Sequence, residues 1–220
     1  MDNHALSKRV TLFSGHYGSG KTNIAVNYAL YLRAQGNPVA IADIDIVNPY
    51  FRTKDSLDEL TAAGVEVVAL PFANTSVDLP SLPAEVYGLV QRYDKKVVMD
   101  IGGDDRGAYA LGRYRPYILE EGNFANLFVA NFYRPLTRSA QEAYEVFKEI
   151  EAAAGIPFTG IVNNSNIGSE TKEEDVLKTA PLAETLSELS GVPVVMTTAE
   201  ERICRDNSGF FPLKLQKKLF

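Results

Sequence analysis

Gly15-His16-Tyr17-Gly18-Ser19-Gly20-Lys21-Thr22 decides the reading of this 220-residue chain. The stretch matches G-x-x-x-x-G-K-[ST] at every fixed position, between an apolar run at Val10–Phe13 and a helical pattern that begins near Lys21. Glycines let the backbone curl so that successive N–H groups face one anion. The following helix turns its positive N-terminal end to the same point. Lys21 adds a cation for β- and γ-phosphates, and Thr22 adds a hydroxyl for Mg²⁺, a hard cation that prefers oxygen. The loop is therefore read as a Walker A phosphate loop. Gly15, Tyr17, Gly18, Ser19, Gly20, Lys21, Thr22 and Asn23 are its expected nucleotide-binding residues.

Outward from the loop, short apolar runs alternate with longer helical patterns. Val10–Phe13, Val39–Ala42, Val65–Leu70, Val97–Met99, Leu127–Ala130, Gly160–Val162 and Val192–Met196 read as seven strands. Helices are expected from Lys21, where Ala25, Tyr28, Ala29 and Leu32 recur at spacings of three and four, and near Ser56–Ala63, Pro83–Arg92, Ser139–Ala154 and Ala183–Ser190. Gly36 stands where the first of these should stop. Ser139 and Glu142 have capping-box spacing, with Leu136, Ala140, Tyr144 and Phe147 along one helix face. Thr171 and Glu174 repeat that spacing. Such alternation predicts an α/β fold: a mostly parallel seven-stranded sheet with helices on both faces. Ligands then bind beyond the carboxyl ends of the strands.

Composition narrows the class. Hydrophobic residues make 45% and charged residues 23%, the balance of a globular chain. No repeat or low-complexity tract divides it, so residues 1–220 are expected to form a single nucleotide-binding domain. The net charge of −6 disfavours nucleic acid as a partner. One cysteine, Cys204, rules out a disulfide within one chain. Met1–Arg9 is polar, and no 18-residue apolar run occurs. The expected location is the cytoplasm. Arg202 and Arg205 flank Cys204 and could lower its pKa, but a buried or inert thiol is the expected reading.

A phosphate loop needs an acid to organise metal and a sensor for the γ-phosphate. Asp43-Ile44-Asp45 follows the second strand. Asp100-Ile101-Gly102-Gly103 follows the fourth, an apolar strand ending in Asp with Gly three residues on. The acid can hold the Mg²⁺ shell, and a glycine N–H can contact a γ-phosphate only when one is present.

This order of a phosphate loop, Asp-x-Asp after the next strand, and Asp-x-x-Gly resembles the CobQ/CobB/MinD/ParA nucleotide-binding family, in the SIMIBI class of P-loop proteins. The resemblance runs from Val10 to about Met196. It implies that Lys21 and Asp45 are catalytic, with Asp45 orienting the attacking water and Asp43 supporting the switch. It further implies that Thr22, Asp45 and Asp100 serve the metal, that Gly103 meets the γ-phosphate, and that the strand carrying the second acid lies beside the first strand. The family's loop carries an early lysine that reaches a dimer partner's phosphate. Here that position is His16, followed by Tyr17. His16 is read as a loop surface residue, and a cation in trans could come instead from Arg52, Arg106, Arg113 or Arg134.

Asn163-Asn164-Ser165-Asn166 follows the sixth strand, where guanine-specific P-loop proteins commonly show Asn-Lys-x-Asp. With Asn166 in place of the acid, adenine is the expected base. Asn163 is similar in position to the family's adenine-contacting asparagine, Asn164 is its neighbour in the site, and Thr197 and Thr198 close the other side. The expected cofactors are ATP and Mg²⁺. At the C-terminus, Lys214, Lys217 and Lys218 face away from Leu215, Leu219 and Phe220 on a helix. Weak membrane contact by this tail is one reading; docking onto the domain through Phe210, Phe211 and Leu213 is the favoured one.

The function expected is a Mg-dependent ATP-binding and hydrolysing switch of MinD/ParA-like type. It would act on a protein partner, with a nucleotide-dependent homodimer as one form. The alternatives are a small-molecule kinase or carboxylate-activating ligase of the CobB/dethiobiotin-synthetase kind, and a regulator that binds nucleotide without hydrolysing it.

Overall fold

Residues 7–44, 54–69, 84–103, 111–204 and 209–215 are described by the computed structural model. Its strands are β1 (Val10–Ser14), β2 (Val39–Ile44), β3 (Glu66–Ala69), β4 (Lys96–Ile101), β5 (Phe124–Ala130), β6 (Gly160–Asn163), β7 (Val194–Glu200) and β8 (Phe211–Leu213). They form one eight-stranded sheet in the order β3-β2-β4-β1-β5-β6-β7-β8. Every pairing is parallel.

β1 is central and buried at all five positions. Its side chains alternate between two cores, as a doubly covered strand requires. Phe13 joins Ile24, Tyr28 and Leu32 on one face. Val10 and Leu12 join Met99, Tyr114 and Ile118 on the other. The first face is covered by α1 (Lys21–Ala34) and the second by α3 (Ala84–Gln91) and α4 (Arg115–Glu121), with α2 (Lys54–Ala62) preceding β3. A third core lies between β5, β6, α5 (Ala140–Ala154) and α7 (Ala180–Ser190), built around Phe128, Phe147 and Phe158. The short α6 (Glu173–Leu177) leads into α7.

The sheet places the site. After β1 the chain runs to β2, β3 and β4 on one side, then to β5 through β8 on the other. The phosphate loop therefore leaves the sheet where strand order reverses, the crevice in which open α/β sheets bind ligands. β4 lies directly beside β1, as expected for the strand carrying Asp100.

Local signals held where they were strongest. Ala25, Tyr28, Ala29 and Leu32 form the buried stripe of α1. The α5 capping box is complete: Ser139 N donates to Glu142 Oε2 (3.0 Å) and Glu142 N donates to Ser139 Oγ (3.2 Å).

Four expectations shift. Leu136 is not on the α5 face; it lies in the preceding loop, exposed, with φ +65°. The cap before α6 sits one residue later than expected, with Asp175 Oδ2 accepting from Lys172 N at 3.0 Å. Thr171 instead donates to the Gly168 carbonyl at 2.6 Å. β7 starts and ends later than Val192–Met196, so Thr197 and Thr198 are strand residues.

β8 is the eighth strand. Its three residues, Phe211-Pro212-Leu213, carry little β signal, and Pro fits there because the strand is at an edge. Burial of Phe211 and Leu213 against α1 fixes it, and Lys214 N donates to Asn27 Oδ1 at 2.9 Å. The tail up to Leu215 is thus docked as favoured; Lys217, Lys218, Leu219 and Phe220 lie outside the described residues. Among the described residues, no helix is long and apolar enough to cross a membrane.

Candidate nucleotide site

The phosphate loop is held by its own turns. Ser19 N donates to the His16 carbonyl at 3.1 Å, and the Lys21 ammonium donates to that carbonyl at 3.1 Å. Gly20 starts α1 in the left-handed region, φ +91°, where any Cβ would also run into the Asn164 side chain. Tyr17 and Gly18 are exposed at the lip, while Lys21 is buried, only 7% exposed.

Asp100 ends β4 within reach of the loop. It is the register partner of Phe13 on β1 and of Asp43 on β2, so both carboxylates sit at the carboxyl end of adjacent strands, each 1% exposed. Thr22 Oγ1 donates to Asp100 Oδ2 at 2.6 Å. A hydroxyl and a carboxylate so close make an all-oxygen donor pair that suits Mg²⁺. Among the described residues no group of three or more His, Cys, Asp or Glu forms a protein-only metal cage. A cation at Thr22 and Asp100 would complete its shell with phosphate oxygens and water, the usual state of Mg²⁺.

Gly103 lies against the same loop. A Cβ there would be 2.8 Å from Lys21 Nζ and 2.8 Å from Tyr17 N, so no side chain fits. The backbone after β4 thus packs against two residues of the phosphate loop, Tyr17 and Lys21. Asp45 lies outside the described residues, as do Arg52 and Arg106.

On the other side of the loop opens a cavity of about 600 Å³, the size of a small-molecule site. It runs from Tyr17, Gly18 and Gly20–Asn23 to the segment after β6, the end of β7, and Leu213 and Leu215. The expected asparagines divide their work. Asn163 does not line this cavity: it is fully buried, its Nδ2 donates to Thr179 Oγ1 at 3.0 Å, and its Oδ1 accepts from Ser165 Oγ at 2.7 Å. The expected contact of Asn163 with a base is corrected accordingly, because the amide is consumed anchoring the β6 turn. Asn164 lines the cavity, but its amide braces the phosphate loop: Nδ2 donates to the Ser19 carbonyl at 2.7 Å and Oδ1 accepts from Thr198 Oγ1 at 2.6 Å. Asn166 also folds into its loop, donating to the Asn164 carbonyl at 2.9 Å and accepting from Gly168 N at 3.3 Å.

Glu200, which sequence reasoning did not assign to the site, joins the cavity wall, and Arg202 braces that wall from outside it. Glu200 ends β7 and accepts from Arg202 Nε at 2.6 Å. Arg202 Nη2 also donates to the Thr171 carbonyl at 3.0 Å, tying the wall after β6 to β7. Because Arg202 is spent on Glu200, it does not activate Cys204. Burial, with Glu201 and Glu173 nearby, pushes that thiol up, in keeping with the inert thiol expected. His16 makes only a local contact, Nδ1 to the Tyr17 carbonyl at 3.1 Å.

No protein-family model matches the chain, and no curated protein does. Solved structures do. FtsY of Mycoplasma mycoides superposes with a TM-score of 0.59 at 17% identity, covering 88% of this chain and 61% of that one. The signal recognition particle receptor FtsY of Elizabethkingia anophelis gives 0.59 at 19%, covering 94% and 62%. The signal recognition particle 54 kDa protein of Aeropyrum pernix, solved in complex with GDP, gives 0.53 at 16%, covering 86% and 41%. The chain therefore spans about three fifths of the FtsY structures and two fifths of the 54 kDa protein. At these identities the likeness is one of fold. What the chain shares with these structures is the parallel α/β sheet with helices packed against it.

Proposed function

We propose that this chain is a Mg²⁺-dependent purine nucleoside triphosphate hydrolase that works as a switch. The observation that carries the reading is the 2.6 Å bond from Thr22 to Asp100, beside a complete phosphate loop and backed by Gly103. In this reading Lys21 and the loop N–H groups hold the phosphates, and Thr22 and Asp100 hold the metal. Mg²⁺, when bound, neutralises charge on the β- and γ-phosphate oxygens. With nucleotide in place, Lys21 exchanges its bond to the His16 carbonyl for phosphate oxygen, and Gly103 N–H reports the γ-phosphate. Asp45 orients water, an assignment that rests on the sequence. The segment following Gly103 transmits the state to a protein partner or a second copy of the chain. Retained nucleotide binding and turnover in Lys21→Ala would sink the proposal, and Asp100→Asn should abolish the gain in affinity that Mg²⁺ confers.

Two observations pull the base assignment apart. Asn166 in place of an acid supports ATP. Against that, the amides of Asn163, Asn164 and Asn166 are engaged within the protein, while Glu200, one of whose oxygens accepts from Arg202, lines the cavity with a carboxylate whose remaining acceptor positions suit the N–H donors that guanine presents. The GDP-bound 54 kDa neighbour supports the same choice. GTP is therefore the leading reading and ATP the second. Competition of unlabelled ATP and GTP against a labelled nucleotide decides it, and Glu200→Gln should weaken GTP and spare ATP. Pull-down with Asp45→Asn, in nucleoside triphosphate and in diphosphate, tests the switch: a partner retained in both states equally would refute it.

A further inference from the structure

One arginine stands over the phosphate loop without an assigned task. Arg134 follows β5 in the loop Asn131-Phe132-Tyr133-Arg134-Pro135-Leu136-Thr137 and lines the nucleotide cavity. Its Nε lies 3.9 Å from where a Cβ on Gly18 would be. Arg113, by contrast, is not part of the cavity wall.

The loop aims this side chain through a dense set of bonds. Arg134 N donates to the Asn131 carbonyl at 3.0 Å, Thr137 Oγ1 donates to the same carbonyl at 2.7 Å, and Tyr133 N donates to Asn131 Oδ1 at 3.1 Å. Tyr133 Oη pins the loop to α6 through the Asp175 carbonyl at 2.8 Å. Leu136 is the one non-glycine residue with positive φ among the described residues, and it is 60% exposed. A bulky side chain held in that region is unfavourable by ~1–3 kcal/mol and persists only where its surroundings over-determine it. The backbone is thus fixed, and the guanidinium it carries has no hydrogen-bond or ion-pair partner among the described residues. Arg134 is exposed to solvent, and its fork of N–H donors over a loop of backbone N–H groups makes a field that favours an anion.

We propose that Arg134 is a phosphate-binding residue in cis: its guanidinium clamps the phosphate chain of a nucleotide bound to its own chain, beside Gly18. It supplies within one chain a second cation beside Lys21. The inference rests on the nucleotide-binding reading above.

Isothermal titration of the full chain with GTP, GDP, ATP and ADP, at low and high salt, tests it. Arg134→Ala should weaken the preferred triphosphate about tenfold, the loss of one charge-assisted contact at a partly exposed site, and should flatten the salt dependence. Arg134→Lys should recover part of the affinity, because lysine keeps the charge and loses the fork. Arg138→Ala, which removes an equal charge from outside the cavity wall, should bind within twofold of wild type. Normal wild-type binding with unchanged affinity and salt slope in Arg134→Ala overturns this inference alone. A wild-type chain that binds none of the four nucleotides overturns both this inference and the reading beneath it.

Discussion

Asn164 is the strut on which the phosphate loop rests, and its removal has a magnitude that follows from its partners. The side chain is 4% exposed and bridges three segments: it donates to the Ser19 carbonyl at 2.7 Å and accepts from Thr198 Oγ1 at 2.6 Å. In Asn164→Ala the two partners fare differently. Thr198 Oγ1 keeps a longer bond to the Asn163 carbonyl at 3.4 Å, so its loss is partial. Ser19 is 3% exposed, and its carbonyl loses the side chain that satisfies it. An orphaned buried acceptor costs ~1–3 kcal/mol and the second bond about 1 kcal/mol, so the variant should lose roughly 2–4 kcal/mol of unfolding free energy. Urea unfolding of wild type, Asn164→Ala, Thr198→Val and the double variant measures this. The cycle should show a coupling of about 1 kcal/mol, since both single changes remove one shared bond. Nucleotide affinity should fall in Asn164→Ala, because the Ser19 peptide it holds is part of the phosphate cradle. A loss under ~0.5 kcal/mol with unchanged affinity, the level of an ordinary surface substitution, would refute the strut.

Further outcomes are expected elsewhere in the molecule. Glu121→Ala should cost ~3–5 kcal/mol in denaturant titrations, because it strands the Arg9 guanidinium, whose side chain is 8% exposed and otherwise donates to the Val90 and Arg92 carbonyls. Burial pushes the Tyr28 phenol from its ordinary value near 10 up to about 12. Stability from the neutral phenol is complete below pH 10 and lost as pH rises toward 12, by roughly 2–3 kcal/mol, and Tyr28→Phe should lose that part of the alkaline slope. Gly20→Ala combines a left-handed backbone with an overlap on Asn164, and should weaken nucleotide binding at least tenfold while the chain remains folded by circular dichroism. Phe211→Ala empties a site that is 2% exposed against Tyr28 and Tyr31 and should cost about 3 kcal/mol, read as a lowered melting temperature.

The parts of the site legible in the sequence are those whose geometry is local. The phosphate loop joins a strand and a helix over consecutive residues, so its conformation and ligand class follow from glycine positions and one lysine. Asp100 was legible because an apolar run ending in Asp leaves that carboxylate at the edge where ligands bind. Asn163 and Asn164 were placed at the correct loop, yet their tasks were not legible. An amide pairs with whatever donor or acceptor faces it, and those facing these two come from Thr179 and Ser165, and from Ser19 and Thr198.

The sequence by itself determined that this chain is an α/β protein with a phosphate loop, an acid after a neighbouring strand, and a glycine after that acid. Periodicity and turn chemistry act within a few residues and survive without tertiary context. Only the tertiary structure decided that Phe211–Leu213 becomes an eighth strand and that Arg134 rather than Arg113 joins the cavity wall. Each of these depends on elements tens to more than a hundred residues apart meeting across a shared core, and burial there, not local propensity, settles which side chains reach the ligand.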